Sequence, residues 1–411
     1  MSASFASLGA PADMVGRLDA RGISHPTDIQ RSTVPDALAG RDVSGRAPTG
    51  SGKTIAFGIP LVTRVTSGVA RRPGGLVLVP TRELAAQVGD ELRLLAGRKG
   101  PSVATVYGGV GFGPQIDKLR RGADIVVACP GRLSDLVRQQ EVFLDKVRFV
   151  VIDEADRMAD MGFLPEVRRL LDSVHPDRQT LLFSATLDGD VDILVRKYQR
   201  NAVRHDVAPA DETRSHRHVF WKTSRADRTR VLADVVKAQW PAIVFCRTKH
   251  GADRLTTQLM RAGVSAAAIH GNRSQGQRDR ALTAFANGDV QALVATDVAA
   301  RGIHVDDVAI VVHFDPPATD KDYVHRSGRT GRAGQSGVVL SFVDHDQQRA
   351  ALTLLRQLGL NATVDAVDMG QMRSERSDVP RPARAADSKP RRHRNAKRPP
   401  ARGARGARRK V

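Results

Sequence analysis

The chain is poor in sulfur and in aromatic rings: of 411 residues two are cysteine, Cys129 and Cys246, and 4% are aromatic. Two thiols without metal-ligand spacing exclude a disulfide framework and a structural zinc site, and both read as small buried apolar residues. Long hydrophobic runs are missing too, since nothing approaches the ~18 apolar residues of a membrane-spanning helix. Between Met1 and Ala20 no basic stretch leads into an apolar core, and Asp13 and Asp19 interrupt it, so no secretory signal is expected. Negative charge is also in short supply. The 64 Lys and Arg residues exceed the 44 Asp and Glu by 20, which predicts a polyanionic partner, either nucleic acid or an anionic membrane surface. No basic amphipathic helix supports the second choice. A cytoplasmic protein of a reducing compartment, without membrane association, is the expectation.

The surplus is unevenly placed. Between Arg373 and Val411 fifteen basic residues face only Glu375, Asp378 and Asp387, a local net of +12 that leaves +8 for the rest of the chain. This segment has no aromatic, Leu or Ile residue and holds five prolines (Pro380, Pro382, Pro390, Pro399 and Pro400), so it cannot bury enough apolar surface to fold alone. Residues 367–411 are expected to form a disordered Arg-rich tail. Such an arm holds phosphates without sequence preference and in a salt-dependent way, and Arg402-Gly403 and Arg405-Gly406 resemble RG-type RNA-binding segments. A merely solubilising appendage is the alternative.

At ~150 residues per domain the length allows two or three folded units. Short runs rich in Val and Ile (Gly75 to Val79, Ile125 to Ala128, Phe149 to Ile152, Leu181 to Phe183, Ala242 to Phe245, Ala292 to Ala295, Val308 to Val312, Val338 to Phe342) alternate with stretches of helical periodicity. Continuously apolar strands imply a parallel sheet covered on both faces, hence α/β architecture. The stretch Val203 to His216 breaks the rhythm, and the pattern restarts at His218-Val219-Phe220. Two similar α/β domains follow, 1–207 and 217–366, with 208–216 as linker.

Two local patterns carry chemistry. Arg46-Ala47-Pro48-Thr49-Gly50-Ser51-Gly52-Lys53-Thr54 follows an apolar strand and precedes Ile55-Ala56-Phe57. Glycines there let backbone N–H groups converge on phosphate oxygens at a helix N-terminus, Lys53 adds a point charge, and the Thr54 hydroxyl can ligate Mg²⁺. Ala47 stands where the first glycine is usual. Further on, Phe149-Val150-Val151-Ile152 delivers Asp153-Glu154-Ala155-Asp156. Adjacent carboxylates at the end of a buried strand suit a metal site, with Asp153 and Glu154 toward Mg²⁺ and Glu154 polarising the attacking water.

The Asp-Glu-Ala-Asp tetrapeptide with this phosphate loop strongly resembles the DEAD-box ATP-dependent RNA helicases of superfamily 2, and the similarity runs from about Phe5 to Phe342. The resemblance implies two tandem RecA-like parallel-sheet domains with helices on both faces, ATP and Mg²⁺ as cofactors, and a role for each motif residue. Gly22 to Gln30 looks like the Q motif: Gln30 would pair with adenine, Phe5 would stack on it, and Ala47 to Thr54 with Gly302 would complete the ATP site. Pro80-Thr81-Arg82, Gly109, and Gly131-Arg132 after Cys129 look like first-domain RNA loops. In the second domain Arg247, Gln275, Arg278, Thr296 and Asp297 are the corresponding RNA-binding candidates. His325 to Arg332 resembles motif VI, whose Arg329 and Arg332 would enter the ATP site as arginine fingers and join Lys53, Asp153 and Glu154 in catalysis. Asp156, Ser184, Thr186 and His325 would couple the ATP and RNA sites. His304 occupies a position where the family usually has an aspartate for the ribose, which predicts weaker nucleotide affinity.

The resulting expectation is an RNA-dependent ATPase that unwinds short duplexes and remodels RNA–protein complexes by domain closure, as a monomer, on single strands and short duplexes without sequence preference. Ribosome-assembly and RNA-decay complexes are both compatible settings. A DNA-directed helicase and a non-catalytic RNA chaperone acting through its tail remain alternatives.

Overall fold

The computed structural model describes residues 3–48, 50–207, 216–300, 308–331 and 337–373. Two seven-stranded sheets form its framework. The first contains β1 (Val43–Arg46), β2 (Gly75–Leu78), β3 (Val103–Val106), β4 (Ile125–Ala128), β5 (Phe149–Asp153), β6 (Gln179–Ser184) and β7 (Val203–Asp206). The second contains β8 (His216–Lys222), β9 (Ala242–Phe245), β10 (Ala266–Ile269), β11 (Ala292–Ala295), β12 (Ile310–His313), β13 (Gly337–Val343) and β14 (Val364–Ala366). The strand orders are β3-β4-β2-β5-β6-β1-β7 and β10-β11-β9-β12-β13-β8-β14. Counted from the first strand of each sheet these orders coincide, so one fold occurs twice. All pairings within the sheets are parallel.

Parallel strands need crossover helices, and those helices cover both faces. Leu76 and Leu78 of β2 accordingly pack with Val126 and Ala128 of β4 on one face, while Val77 packs with Ile125 and Val127 on the other. Every position of these strands is buried, which is why they read as unbroken apolar runs. The outer strands differ: β3 alternates half-buried and buried residues, and most of β14 is exposed.

Two expected boundaries shift. His216 is not linker but the first residue of β8, held because its Nε2 lies 2.7 Å from the Thr330 carbonyl oxygen. The expected tail begins with a short helix, Met369–Arg373, whose Met372 is buried in the core of the second sheet. That apolar anchor, in a segment otherwise judged by charge, is what keeps residues 369–373 on the fold. Thr49, the linker at 208–215, Gly302, His304, Arg332 and the tail from 374 onward lie outside the described residues.

Candidate functional site

The motifs collect at the C-terminal ends of the first sheet's strands, because in a parallel sheet every loop that follows a strand emerges at the same edge. The loop after β1 is fastened at its start, where the Ala47 N–H donates to the Ser184 carbonyl at 3.0 Å. Gly50 and Gly52 take positive φ values of 87° and 91°, which side chains rarely tolerate and which turn the backbone toward the helix Lys53–Arg64. A Cβ on Gly52 would lie 2.4 Å from Gln30 Nε2. Lys53 opens that helix, buried, with its ammonium donating to the Ala47 carbonyl at 3.1 Å. Thr54 follows it, half-buried.

Gln30 supports this loop directly. Its Nε2 donates to the Gly52 carbonyl at 3.0 Å and its Oε1 accepts the Thr27 N–H at 2.9 Å, while the Thr27 hydroxyl donates to the Ser51 carbonyl at 2.8 Å. A second Nε2 hydrogen and a second Oε1 lone pair remain to read a base. Phe5 departs from expectation: it is 1% exposed and packs with Met14, Leu18 and Ile29. The turn at residues 5–10 directs the ring into the core rather than toward a ligand.

Asp153 ends β5 buried, and its Oδ1 accepts the Glu154 N–H at 2.9 Å. Glu154 sits in the left-handed region at φ 52° and ψ 51°, a strained conformation for a side-chain-bearing residue and one that recurs at functional sites. Burial raises the Glu154 pKa, but the cations Arg157, Lys53 and Arg329 outweigh it and bring the value to about 2. Arg157, which carries no signal of its own in the sequence, donates to Glu154 Oε2 at 2.7 Å, and both side chains are buried. An Oε2 committed to a guanidinium, amid three positive charges, makes Glu154 a poor metal ligand. The expected metal set contracts to Asp153 and Thr54, which fits Mg²⁺, an ion bound through one or two carboxylates plus substrate phosphates.

Asp156 is tied to β6. Its N–H donates to Ser184 Oγ at 3.1 Å, and its Oδ2 accepts the Ala185 N–H at 3.2 Å. Since Ser184 also holds Ala47, the acidic motif and the phosphate loop share one post. Thr186 is half-buried just beyond β6, and His325 is half-buried on the helix Asp320–Ser327 of the second domain. Arg329 follows that helix, buried, and its charge reaches Glu154 across the domain boundary.

A second bridge crosses the same boundary. Arg278 Nη2 lies 2.7 Å from Glu83 Oε1, with only 3% and 7% of the two side chains exposed. Burial depresses the Arg278 pKa, and Glu83 opposes it. Arg278 was expected on RNA; here its guanidinium joins the domains, because the first turn of the helix Arg82–Ala96 and the helix Gln275–Ala286 face each other. Asp297 is likewise diverted. Arg326 grips it in bidentate fashion, Nε to Oδ1 at 2.6 Å and Nη2 to Oδ2 at 2.7 Å, which occupies both oxygens expected on RNA. Neither Glu83 nor Arg326 stands out in the sequence, where each is one charged residue inside a motif.

The remaining RNA candidates line the loops. Pro80 is buried, and Thr81 caps the helix Arg82–Ala96 by accepting the Leu84 N–H at 3.3 Å. Arg82 Nη1 lies against Gly109, whose φ of 81° is a backbone conformation that favours glycine. Gly131 lies in the first turn of the helix Pro130–Arg138, followed by Arg132, whose guanidinium stacks 3.9 Å from the centre of the exposed Phe112 ring and donates to the Val110 carbonyl. In the second domain Thr296 is buried and Arg247 exposed. Gln275 Oε1 is buried without a hydrogen-bond donor, an acceptor suited to a ribose hydroxyl. Of the two thiols expected to be buried, Cys246 is buried and Cys129 is half-buried against the first-domain core; burial pushes Cys129 up to about 12 and Cys246 higher still, so both stay protonated.

A phosphate loop and an acidic strand end in one sheet, met by arginines from a second sheet of identical order, define a tandem RecA-like nucleotide-hydrolase architecture. The DEAD/DEAH box helicase family matches residues 27–194 and the helicase conserved C-terminal domain matches 227–334. The chain belongs to the DEAD-box ATP-dependent RNA helicases: it is 38% identical over 381 residues to DEAD-box ATP-dependent RNA helicase 20 of Arabidopsis thaliana, covering 90% of this chain and 76% of that one. It is 40% identical to DEAD-box ATP-dependent RNA helicase 30 of the same plant, over 86% of this chain and 61% of the relative, so it spans about three-fifths of that relative's length. Among solved structures, Dbp5 of S. cerevisiae bound to RNA and ADP BeF3 is similar at a TM-score of 0.80 and 28% identity, over 90% of this chain and 98% of that one. A DEAD box protein from Methanococcus jannaschii matches at 0.52 and 33% identity, over 89% and 99%.

Proposed function

We propose that the protein is an ATP-dependent RNA helicase that couples ATP hydrolysis to local duplex unwinding and RNA–protein remodelling through closure of its two domains. The observation that carries this reading is Glu154: a buried, ionised carboxylate whose surrounding cations come from both domains, Lys53 and Arg157 from the first and Arg329 from the second. The two halves of the ATP site exist together only when the cleft is shut, an arrangement similar to the Dbp5 structure bound to RNA and ADP BeF3.

ATP binds through Gln30, the loop 47–54 and Lys53. Asp153 and Thr54 would hold Mg²⁺, which would supply charge neutralisation at the phosphates. Glu154, too weakly basic to take a proton early, orients the attacking water with its ionised carboxylate, and Arg329 stabilises charge developing on the γ-phosphate. RNA lying across both domains favours the same closed form, so ATP and RNA bind with reciprocal coupling. Cytoplasmic residence, a monomeric state and work in ribosome-assembly or RNA-decay complexes belong to the proposal on sequence grounds.

Comparing ATP turnover with equal lengths of RNA and DNA tests the substrate class, and RNA-selective stimulation is the expected result. Glu154→Gln is expected to reduce turnover ~10³-fold or more while retaining RNA in the presence of ATP. Undiminished turnover in that variant refutes the assignment of Glu154, and equal stimulation by DNA refutes RNA as the substrate.

A further inference from the structure

A cavity of about 500 Å³ opens at the C-terminal edge of the second sheet, between the ends of β9 and β12. Four of its lining residues are arginines, Arg225, Arg228, Arg247 and Arg254, and its carboxylate is Asp315. Asp315 accepts the Arg247 backbone N–H at 2.8 Å, and Arg225 is paired with Asp344 at the rim. Arg228 is 4% exposed; Nη1 donates to the Phe314 carbonyl at 3.0 Å, but Nε and Nη2 are buried with no hydrogen-bond acceptor. A buried guanidinium with two unsatisfied donors is a costly arrangement that an anion relieves. The second-domain helix Lys249–Arg261 begins at the cavity wall with Thr248 and Gly251, adding the positive end of its dipole.

The class of anion follows from position. Thr296, at the end of β11, is one strand from β9, and neighbouring strands lie ~4.8 Å apart. The cavity therefore continues the edge that carries the second-domain RNA loops, within ~10 Å of Thr296, and Arg247 belongs to both. We propose that the cavity binds a backbone phosphate of the RNA strand, extending the RNA track beyond the motif loops toward Arg228 and Arg254. The inference rests on the reading of the protein as RNA-binding. Burial draws the Arg228 pKa downward, with Asp344 and Asp315 opposing only in part, and a phosphate supplies the missing counter-charge.

Binding of single-stranded RNAs from about 5 to about 12 nucleotides to the full chain tests this. Arg254→Gln, at an exposed position where folding is not at stake, and Arg228→Gln are each expected to weaken binding of the longer strands ~10-fold. They leave the shortest strands bound as tightly as before, and they reduce the salt slope by ~0.7. Unchanged affinity at all lengths, or an equal loss at every length, overturns the proposal while wild-type RNA binding stands. Inorganic pyrophosphate bound by the wild type alone, with RNA affinity indifferent to both substitutions, also overturns it in favour of a free phosphate ligand. Failure of the wild type to bind RNA of any length refutes the underlying reading instead.

Discussion

Glu83→Gln isolates the closing step. In the closed form Glu83 and Arg278 form an ion pair with 7% and 3% of their side chains exposed, and Glu83 also faces Arg82 Nε at 3.2 Å. Removing the carboxylate charge leaves the Arg278 guanidinium buried beside a neutral amide, a loss of ~2–4 kcal/mol for breaking a buried ion pair. The pair joins a first-domain residue to a second-domain residue, so the loss falls on the closing equilibrium rather than on the stability of either domain. Closure weakens ~30- to 1,000-fold. Because Arg329 acts on Glu154 only in the closed form, RNA-stimulated ATP turnover at sub-saturating RNA falls with it, as does the RNA affinity gained from a non-hydrolysable ATP analogue. Affinity without nucleotide and the thermal midpoint move little. Exchanging the charges, Glu83→Arg with Arg278→Glu, restores part of the coupling. A Glu83→Gln protein whose turnover and nucleotide-dependent RNA affinity stay within ~2-fold of wild type refutes the latch.

Three further outcomes are expected. The Glu154 pKa is depressed from 4.5 to about 2; its contribution to stability is fully present above 4.5 and is lost as pH falls toward 2, so acid unfolding of Glu154→Gln has a shallower pH dependence than wild type, and identical profiles exclude the shift. His304→Asp is expected to lower the KM for ATP ~10-fold by restoring a ribose acceptor, and equal KM values rule that out. Truncation after Arg373, which spares the anchored Met372, weakens RNA binding and flattens its salt dependence by ~0.7 for each phosphate the tail no longer neutralises, while saturated ATP turnover survives; unchanged affinity returns the tail to a solubilising role.

Much of this was legible in the chain. The apolar runs of β2, β4, β5, β6, β9, β11, β12 and β13 stand out because those strands are covered on both faces, and periodicity is a local property. The phosphate loop and Asp153-Glu154 are equally local, since a turn followed by a helix N-terminus needs only neighbouring residues. The outer strands β3, β7, β10 and β14 escaped, β7 within the stretch expected to break the pattern, because half-solvated residues erase the apolar signal.

What the tertiary structure decided was the partner of each charge. Arg278 meets Glu83, Asp297 meets Arg326, Glu154 is held by Arg157, and Phe5 turns into the core. Sequence by itself determined the strand pattern, the repeated domain and the chemistry of the phosphate site, because those depend on residues a few positions apart. Which arginine bridges the domains and which lines the second-domain cavity depends on groups far apart in sequence. Their separation and burial set the electrostatics, and only folding brings them within 3 Å.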